Sequence, residues 1–225
     1  MYVKFFKRFL DFILSLLTLI VLSPVLLVLT VVGAIVMKGN PFFTQLRPGK
    51  DEKIFKLIKF RSMTCETDTE GNLLPDEERL TKYGTFLRES SLDELPELIN
   101  ILKGDMSIVG PRPQLVRDMV FMTPEQRKRH SVRQGLTGLA QCSGRNNMSW
   151  EQKFEYDLQY IENITFLGDV KIILMTVGKV LKRDGISEEG MATAEDLGDY
   201  LLHKGVVDQA VYEEMQKKAR ELIGV

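Results

Sequence analysis

Residues 9–37, FLDFILSLLTLIVLSPVLLVLTVVGAIVM, carry one charge, Asp11, and have to find either lipid or a deep core. About 20 apolar residues suffice to cross a bilayer, so the plain reading is a single spanning helix. A secretory signal fits poorly, because the run is too long and no A-x-A-like site leads into a mature start. Ser23-Pro24 in the middle disturbs the spanning reading, since proline removes a backbone bond and kinks a helix. The arm over 9–22 would reach only about 21 Å at 1.5 Å per residue, short of a hydrocarbon core of roughly 30 Å. Basic residues flank the run on both sides: Lys4, Lys7 and Arg8 before it, Lys38, Arg47, Lys50 and Lys53 after it. Lys and Arg beside a membrane segment favour the cytoplasmic face, and a simple span puts one cluster on the wrong side. A helix bent at Ser23-Pro24, entering and leaving by one face, satisfies both. The expectation is a re-entrant, monotopic hairpin over 1–38, with Lys7, Arg8 and Asp11 at headgroup level and Arg8 beside Asp11 at i, i+3.

The chain has 225 residues, room for one domain plus appendages. At 44% hydrophobic and 27% charged it supports a core. A net charge of -1 argues against general nucleic-acid binding. Basic residues nevertheless gather at 50–61 and 127–130, and acidic ones at 66–78 and in the tail. Cys65 and Cys142 stand far apart with no CxxC, and His130 and His203 are the two histidines. A disulfide framework, a cysteine zinc site and a His-rich metal site are all disfavoured.

After the apolar run, a strand over 42–45, a Pro48-Gly49 turn and a strand over 54–60 read as a hairpin. A polar loop over 64–78 and a short helix over 79–88 follow. Leu95, Leu98, Ile99 and Leu102 recur at i, i+3, i+4, i+7, an amphipathic helix over 91–103. Ser91 with Glu94 matches a capping box, and Gly104 is a natural stop. MSIVGPRP reads as a strand entering a rigid turn, with Arg112 between two prolines. The segment 166–183 is amphipathic, with Lys171, Lys179, Lys182 and Arg183, and Asp169 as a candidate cap. Such a helix suits a membrane surface and equally suits an ordinary core. Residues 191–225 suggest an appended pair of helices broken at 203–205, with Val207, Val211, Met215 and Leu222 on one face of the second. Partner binding, self-association or passive packing would each explain them.

In SLDELPE, Asp93 and Glu94 stand together at the start of the 91–103 helix. Acidic residues in a first turn are favoured by the helix dipole by about 0.3–1 kcal/mol, which explains them as ordinary charges. Chemistry offers a second explanation. An ionised carboxylate can attack phosphorus as a covalent nucleophile, and a neighbouring carboxylate can orient it or hold Mg²⁺. Phosphate chemistry also needs cations, and Lys59, Arg61, Arg88, Arg112 and Arg145 stand beside turns or element ends. Arg112 in GPRP and Arg145 in SGRNN have the rigid or Gly-flanked settings that suit bidentate contacts.

The strings KRFLDF, Ser23-Pro24, FTQLRPGKDEKIFKLIKFRSM, SLDELPELINILKGDMSIVGPRP, GLTGLAQCSGRN, WEQKFEYDLQYIEN and VLKRDGIS occur in this order. Together they resemble the small monotopic phosphoglycosyl transferases of the bacterial sugar transferase family, the PglC-like kind, over residues 1 to about 190. The resemblance implies an α/β, mostly helical fold. A re-entrant helix-break-helix over 1–38 would sit on a catalytic domain over 39–190 with a short β-hairpin and interfacial amphipathic helices, on the cytoplasmic face of the bacterial inner membrane. It implies transfer of a sugar 1-phosphate from a UDP-sugar to polyprenol (undecaprenyl) phosphate with release of UMP. Asp93 would be the nucleophile and a ligand of the required Mg²⁺, with Glu94 its partner. Lys59, Arg88, Arg112 and Arg145 would bind phosphates or the sugar nucleotide. Gln134, Leu139 and Cys142-Ser143 depart from residues common in that family and bear on the identity of the sugar. The 191–225 tail lies outside the shared core, where a homodimer or partner contact is open. A lipid phosphatase or phospholipid synthase fits less well, without catalytic His or Cys groupings or a multi-span body. A membrane-tethered assembly protein without catalysis is the other alternative.

Overall fold

The computed structural model describes residues 2–144, 148–182 and 195–224. A helical turn at Tyr2–Phe6 leads into helix α1, Lys7–Val36, the one helix among the described residues long and apolar enough to cross a membrane. Helix α1 runs through Ser23-Pro24, so the expected break is not a gap in the helix. Proline at 24 removes only the N–H that would serve the carbonyl of Ile20. The Ser23 hydroxyl donates to that same carbonyl at 2.8 Å and satisfies it.

At 30 residues, α1 is about 45 Å long, and it lies along the rest of the protein rather than leaving it. Lys7 bonds the Asp169 carboxylate, Arg8 donates to the carbonyls of Ile101 and Leu102, and buried Asp11 accepts from the Ser107 hydroxyl and the Ile108 N–H. Arg8 and Asp11, neighbours at i, i+3 as expected, act on each other by charge while their hydrogen bonds go to these anchors. Midway, Leu19 packs on the cluster of Leu57, Leu98, Ile101 and Met106. Near the far end Leu29 packs with Phe60 and Leu87, and its carbonyl accepts from the Tyr83 hydroxyl. The opposite face, including Phe9, Leu17, Val21, Leu27, Val28 and Ile35, is exposed. A continuous apolar surface of that extent marks a membrane or partner contact.

Strands β1 (Phe42–Pro48) and β2 (Ile54–Phe60) form the antiparallel hairpin, longer in its first strand than expected. Helices α2 (Asp76–Arg79) and α3 (Lys82–Glu89) replace the single helix expected over 79–88. Helix α4 is Glu97–Lys103. Strand β3 (Met106–Val109) pairs in parallel with β4 (Gln134–Thr137), across short helices α5 (Val116–Met119) and α6 (Pro124–Arg127). Helix α7 is Leu139–Ser143, α8 is Trp150–Glu162 and α9 is Phe166–Lys182. Asp169 does not cap α9. Thr165 does so through its hydroxyl, while the buried Asp169 carboxylate accepts from Tyr2, Lys7 and Tyr160.

In the tail, α10 (Leu197–His203) and α11 (Gln209–Ile223) flank the break expected at 203–205. They pack on the protein's own surface: Leu197 against Met122, Trp150 and Phe154, and Met215, Ala219 and Ile223 against Val116, Met119 and Val120. The packed stripe of α11 is thus 215/219/223, and Val211 and Leu222 are exposed.

Candidate active site

The site is built where β2 meets α4. The buried Asn100 amide accepts from the Ile58 N–H at 3.1 Å and donates to the Lys56 carbonyl at 2.8 Å. It serves as a strand partner for an edge of β2, so those groups are not left unpaired. The requirement also sets the buried face of α4: Glu97, Leu98, Asn100 and Ile101, rather than a stripe through Ile99, which is exposed. With β2 pinned there, Lys59 reaches Glu94 Oε1 at 2.7 Å and Glu97 Oε1 at 3.1 Å.

Asp93 and Glu94 do not open an α-helix. They occupy a 3-10 turn, Leu92–Glu94, and α4 starts at Glu97 after Pro96. Ser91 makes no side-chain cap; its φ of 56° reverses the chain just before the turn. A non-glycine residue there costs about 1–2 kcal/mol, a strain that clusters at functional positions. The expected capping box fails because the Glu94 carboxylate is engaged elsewhere: the same Oε1 accepts from Lys59 and, at 2.8 Å, from Arg112 Nη2. Leu92 and Leu95, on either side of the pair, pack into the core beneath.

Arg112 is held by its backbone. Gly110 donates to Thr137, the Pro111 carbonyl accepts from Gly135, the Arg112 carbonyl accepts from Arg129 Nη2 at 2.6 Å, and the Pro113 carbonyl accepts from Arg47. Arg129 is fully buried and gives Nε and Nη2 to Asp157 Oδ2 at 2.9 and 2.6 Å. Arg88 rests on α3, which approaches Ser62 closely at Gly84: a Cβ there would lie 1.8 Å from the Ser62 carbonyl oxygen. One turn on, Arg88 Nε donates to Ser62 Oγ at 3.0 Å.

Electrostatics separate the two acids. Burial raises the Asp93 pKa, and the charge of Glu94 raises it further, against Lys59, Arg112 and Arg88. Burial also opposes the ionised form of Glu94, but Arg112 and Lys59 outweigh it and hold Glu94 well below the usual carboxylate range. Burial raises Glu97, with Lys59 opposing and Glu94 adding. Lys59, which burial would lower, ends above its ordinary value through Glu94 and Glu97. Glu94 is therefore a fixed anion committed to two cations. Asp93 makes no hydrogen bond through its carboxylate among the described residues and is the more basic of the pair.

The geometry thus gathers Asp93, Glu94, Lys59, Arg88 and Arg112. Arg145 lies outside the described residues. Ser23 and Pro24 sit mid-way along α1, away from either anchored end. Sequence reasoning missed Glu97, whose signal was its three-residue spacing from Glu94, and the Arg129–Asp157 pair behind Arg112, which had none. The donor set suits Mg²⁺, an ion bound through one or two carboxylates plus substrate phosphates, since both Asp93 oxygens are unspent. Among the described residues no group of three or more His, Cys, Asp or Glu could hold a metal ion without such phosphates.

Comparison with known proteins decides the family. The profile described as bacterial sugar transferase matches residues 2–183. The chain belongs to the bacterial sugar transferase family. It is an enzyme of the phosphoglycosyl transferase kind, as the ordered strings indicated. An uncharacterized sugar transferase, EpsL, of Bacillus subtilis is 50% identical over 174 residues, 77% of this chain and 86% of that protein. The UDP-glucose:undecaprenyl-phosphate glucose-1-phosphate transferase of Klebsiella pneumoniae is 42% identical over 184 residues, 77% of this chain and 40% of that protein. The UDP-galactose-lipid carrier transferase of Erwinia amylovora is 36% identical over 201 residues, 81% and 42% respectively. The chain spans less than half the length of the latter two relatives.

Proposed function

We propose that this enzyme moves a sugar 1-phosphate from a UDP-sugar to undecaprenyl phosphate, releasing UMP, in two displacements at Asp93. Two relatives whose names state such reactions support the overall transfer. The observation that carries the route is the unequal state of the two acids, with Glu94 consumed by Lys59 and Arg112 and the Asp93 carboxylate unbonded among three cations.

In the first displacement an Asp93 oxygen bonds to the β-phosphorus of the UDP-sugar. The bond from that phosphorus to the bridging oxygen breaks, and UMP departs with the electron pair. In the second, a phosphate oxygen of the polyprenyl acceptor attacks the same phosphorus and Asp93 leaves as a carboxylate, a ping-pong order natural to a covalent nucleophile. Lys59, Arg88 and Arg112 stabilise charge on the phosphoryl oxygens, and the pinned backbone at 110–113 keeps Arg112 from having to reorganise. Mg²⁺, held by Asp93 and the diphosphate, would neutralise phosphate charge. Arg145 belongs with the nucleotide in this reading.

The reading places α1 as a re-entrant, monotopic element on the cytoplasmic face. In its favour, both ends of α1 are fastened to one body while its other face is apolar and exposed. Phe166, Leu167, Leu174 and Val177 add exposed apolar surface on α9, as an interfacial helix would.

Replacing Asp93 with Asn tests the route. UMP release with a panel of UDP-sugars, Mg²⁺ and undecaprenyl phosphate should collapse while membrane association persists. The parent enzyme trapped with UDP-sugar alone should carry a phospho-sugar on the peptide containing Asp93. Full turnover by the Asn variant would remove Asp93 as nucleophile.

A further inference from the structure

At the other end of α4 from the acidic pair lies a second cationic feature. A cleft of about 80 Å³ opens between the start of α1 and the β3–β4 pair, lined among others by Lys7, Arg8, Lys50 and Arg133. A single water occupies at least about 10–15 Å³ on this measure, so a phosphate group fits. Helix α4 has seven residues, so its two ends are about 10 Å apart, and this cleft is separate from the carboxylates of the active site.

The charge in the cleft is fixed and only partly compensated: Lys7 is paired with Asp169, and Asp11 also lines the cleft. Arg8 gives Nη1 to the Ile101 carbonyl at 2.5 Å and Nη2 to the Leu102 carbonyl at 2.8 Å; Arg133 gives Nε to the Gly104 carbonyl at 2.8 Å. These acceptors hold the guanidinium planes; Asp11 and Asp105 act on Arg8 by charge, while Arg133 is bonded to a neutral carbonyl. Four cations line the cleft against one lining carboxylate, Asp11, so the balance is positive. Asp11 accepts from Ser107 and Ile108, and Asp169 from Tyr2, Lys7 and Tyr160. Exposed Lys50 completes the ring. Rigid guanidiniums with free donors suit phosphate oxygens.

The rim of the cleft is apolar. Val3 and Ile164 line the cleft; Phe5, Phe6, Phe9, Phe166 and Leu167 beside them are all exposed. Tyr2 stacks edge-on against Phe166 at 5.9 Å, joining the two apolar edges. Cations bordered by such a surface stand at headgroup depth when that surface enters lipid. We propose that this cleft binds the phosphate of an anionic phospholipid headgroup, fixing the depth at which the enzyme sits in the membrane. The proposal rests on the membrane-surface placement made above, not on the transfer chemistry.

The test is lipid binding by the full-length chain in zwitterionic detergent, read by native mass spectrometry. Phosphatidylglycerol is titrated, with phosphatidylcholine as control and inorganic phosphate as competitor. Phosphatidylglycerol should be retained preferentially. Lys50→Gln and Arg133→Gln should each weaken that retention about fivefold, the weight of one cation near an anionic surface. Lys50→Gln, on an exposed turn, should leave UMP release in detergent unchanged and so reports on binding without a folding defect. Equal retention of both lipids, or undiminished preference in both variants, overturns the site. Inorganic phosphate competing as strongly as the lipid overturns the lipid assignment. Loss of the Asp93 adduct with lipid preference intact would strike the transfer mechanism alone.

Discussion

Replacing Asp157 with Asn should unfold this protein far more readily than a single polar change usually does. The Arg129 side chain has 0% exposure and that of Asp157 4%, and a single oxygen, Asp157 Oδ2, takes both guanidinium bonds. Asparagine keeps the shape and loses the charge, leaving a dry guanidinium without its counter-ion. Breaking a buried pair in this way costs about 3–5 kcal/mol. For a chain of this size each kcal/mol moves Tm by about 2–4 °C, so the fall should be roughly 6–20 °C. Trp150, buried beside Phe154 on the helix that carries Asp157, makes intrinsic fluorescence in detergent a suitable probe. Replacing both partners, Arg129→Met with Asp157→Leu, removes the stranded charge and should recover most of the loss. The double variant also leaves the Arg112 carbonyl without its donor, so UMP release should remain below the parent even where stability returns. A Tm shift under about 2 °C for Asp157→Asn would refute the reasoning, because it would mean water reaches Arg129.

Two further outcomes follow from burial. His130 is 2% exposed, its ring nitrogens lack a side-chain hydrogen bond among the described residues, with Glu52 Oε1 4.0 Å from Nδ1, and burial with Arg129 and Arg127 nearby pushes its pKa down to about 3. Its folded pKa lies below the unfolded value of about 6.5, so stability is whole above pH 6.5 and drains as the unfolded chain takes up the proton. The contribution lost by pH 5.5 is about 1.4 kcal/mol, and His130→Phe should show a Tm drop between pH 7.5 and 5.5 smaller than the parent's by about 3–6 °C; identical drops would show the ring is not buried neutral. Ending the chain at residue 183 should uncover Val116, Met119, Val120, Met122 and Trp150, now covered by the tail. Burying Leu197 alone contributes about 2 kcal/mol. A lower Tm and aggregation by size exclusion are expected, and a truncated chain as stable and monodisperse as the parent would reserve the tail for an outside partner.

The hairpin, the amphipathic α4 and α9 and the paired tail helices were legible because each rests on periodicity and turn residues within a short window. The gathering of Lys59, Arg88 and Arg112 with the acidic pair was legible through resemblance. The capping box at Ser91 and Glu94 was a locally sound inference that tertiary contacts displaced: two cations from distant segments outbid one backbone N–H for the same carboxylate. At Ser23-Pro24 proline's local chemistry leaves the Ile20 carbonyl unserved, and the Ser23 hydroxyl bonds it, so the helix continues through the proline. Asp169 looked like a cap in one dimension and proves to be the knot joining α9 to the chain's start.

By itself, then, the sequence determined that a long apolar segment flanked by cations must find lipid or a core, and that a carboxylate pair stands among turn-borne basic residues. These follow from composition and short-range order, which survive whatever the chain does at long range. Only the tertiary structure decided which acid is tied down and which is left unbonded, since Lys59 and Arg112 lie 35 and 18 residues from Glu94. The same holds for the buried Arg129–Asp157 clamp and for the four cations around the cleft near α1. Their charges come from segments far apart in the chain, and their effect depends on distance and burial, neither of which a linear order of residues contains.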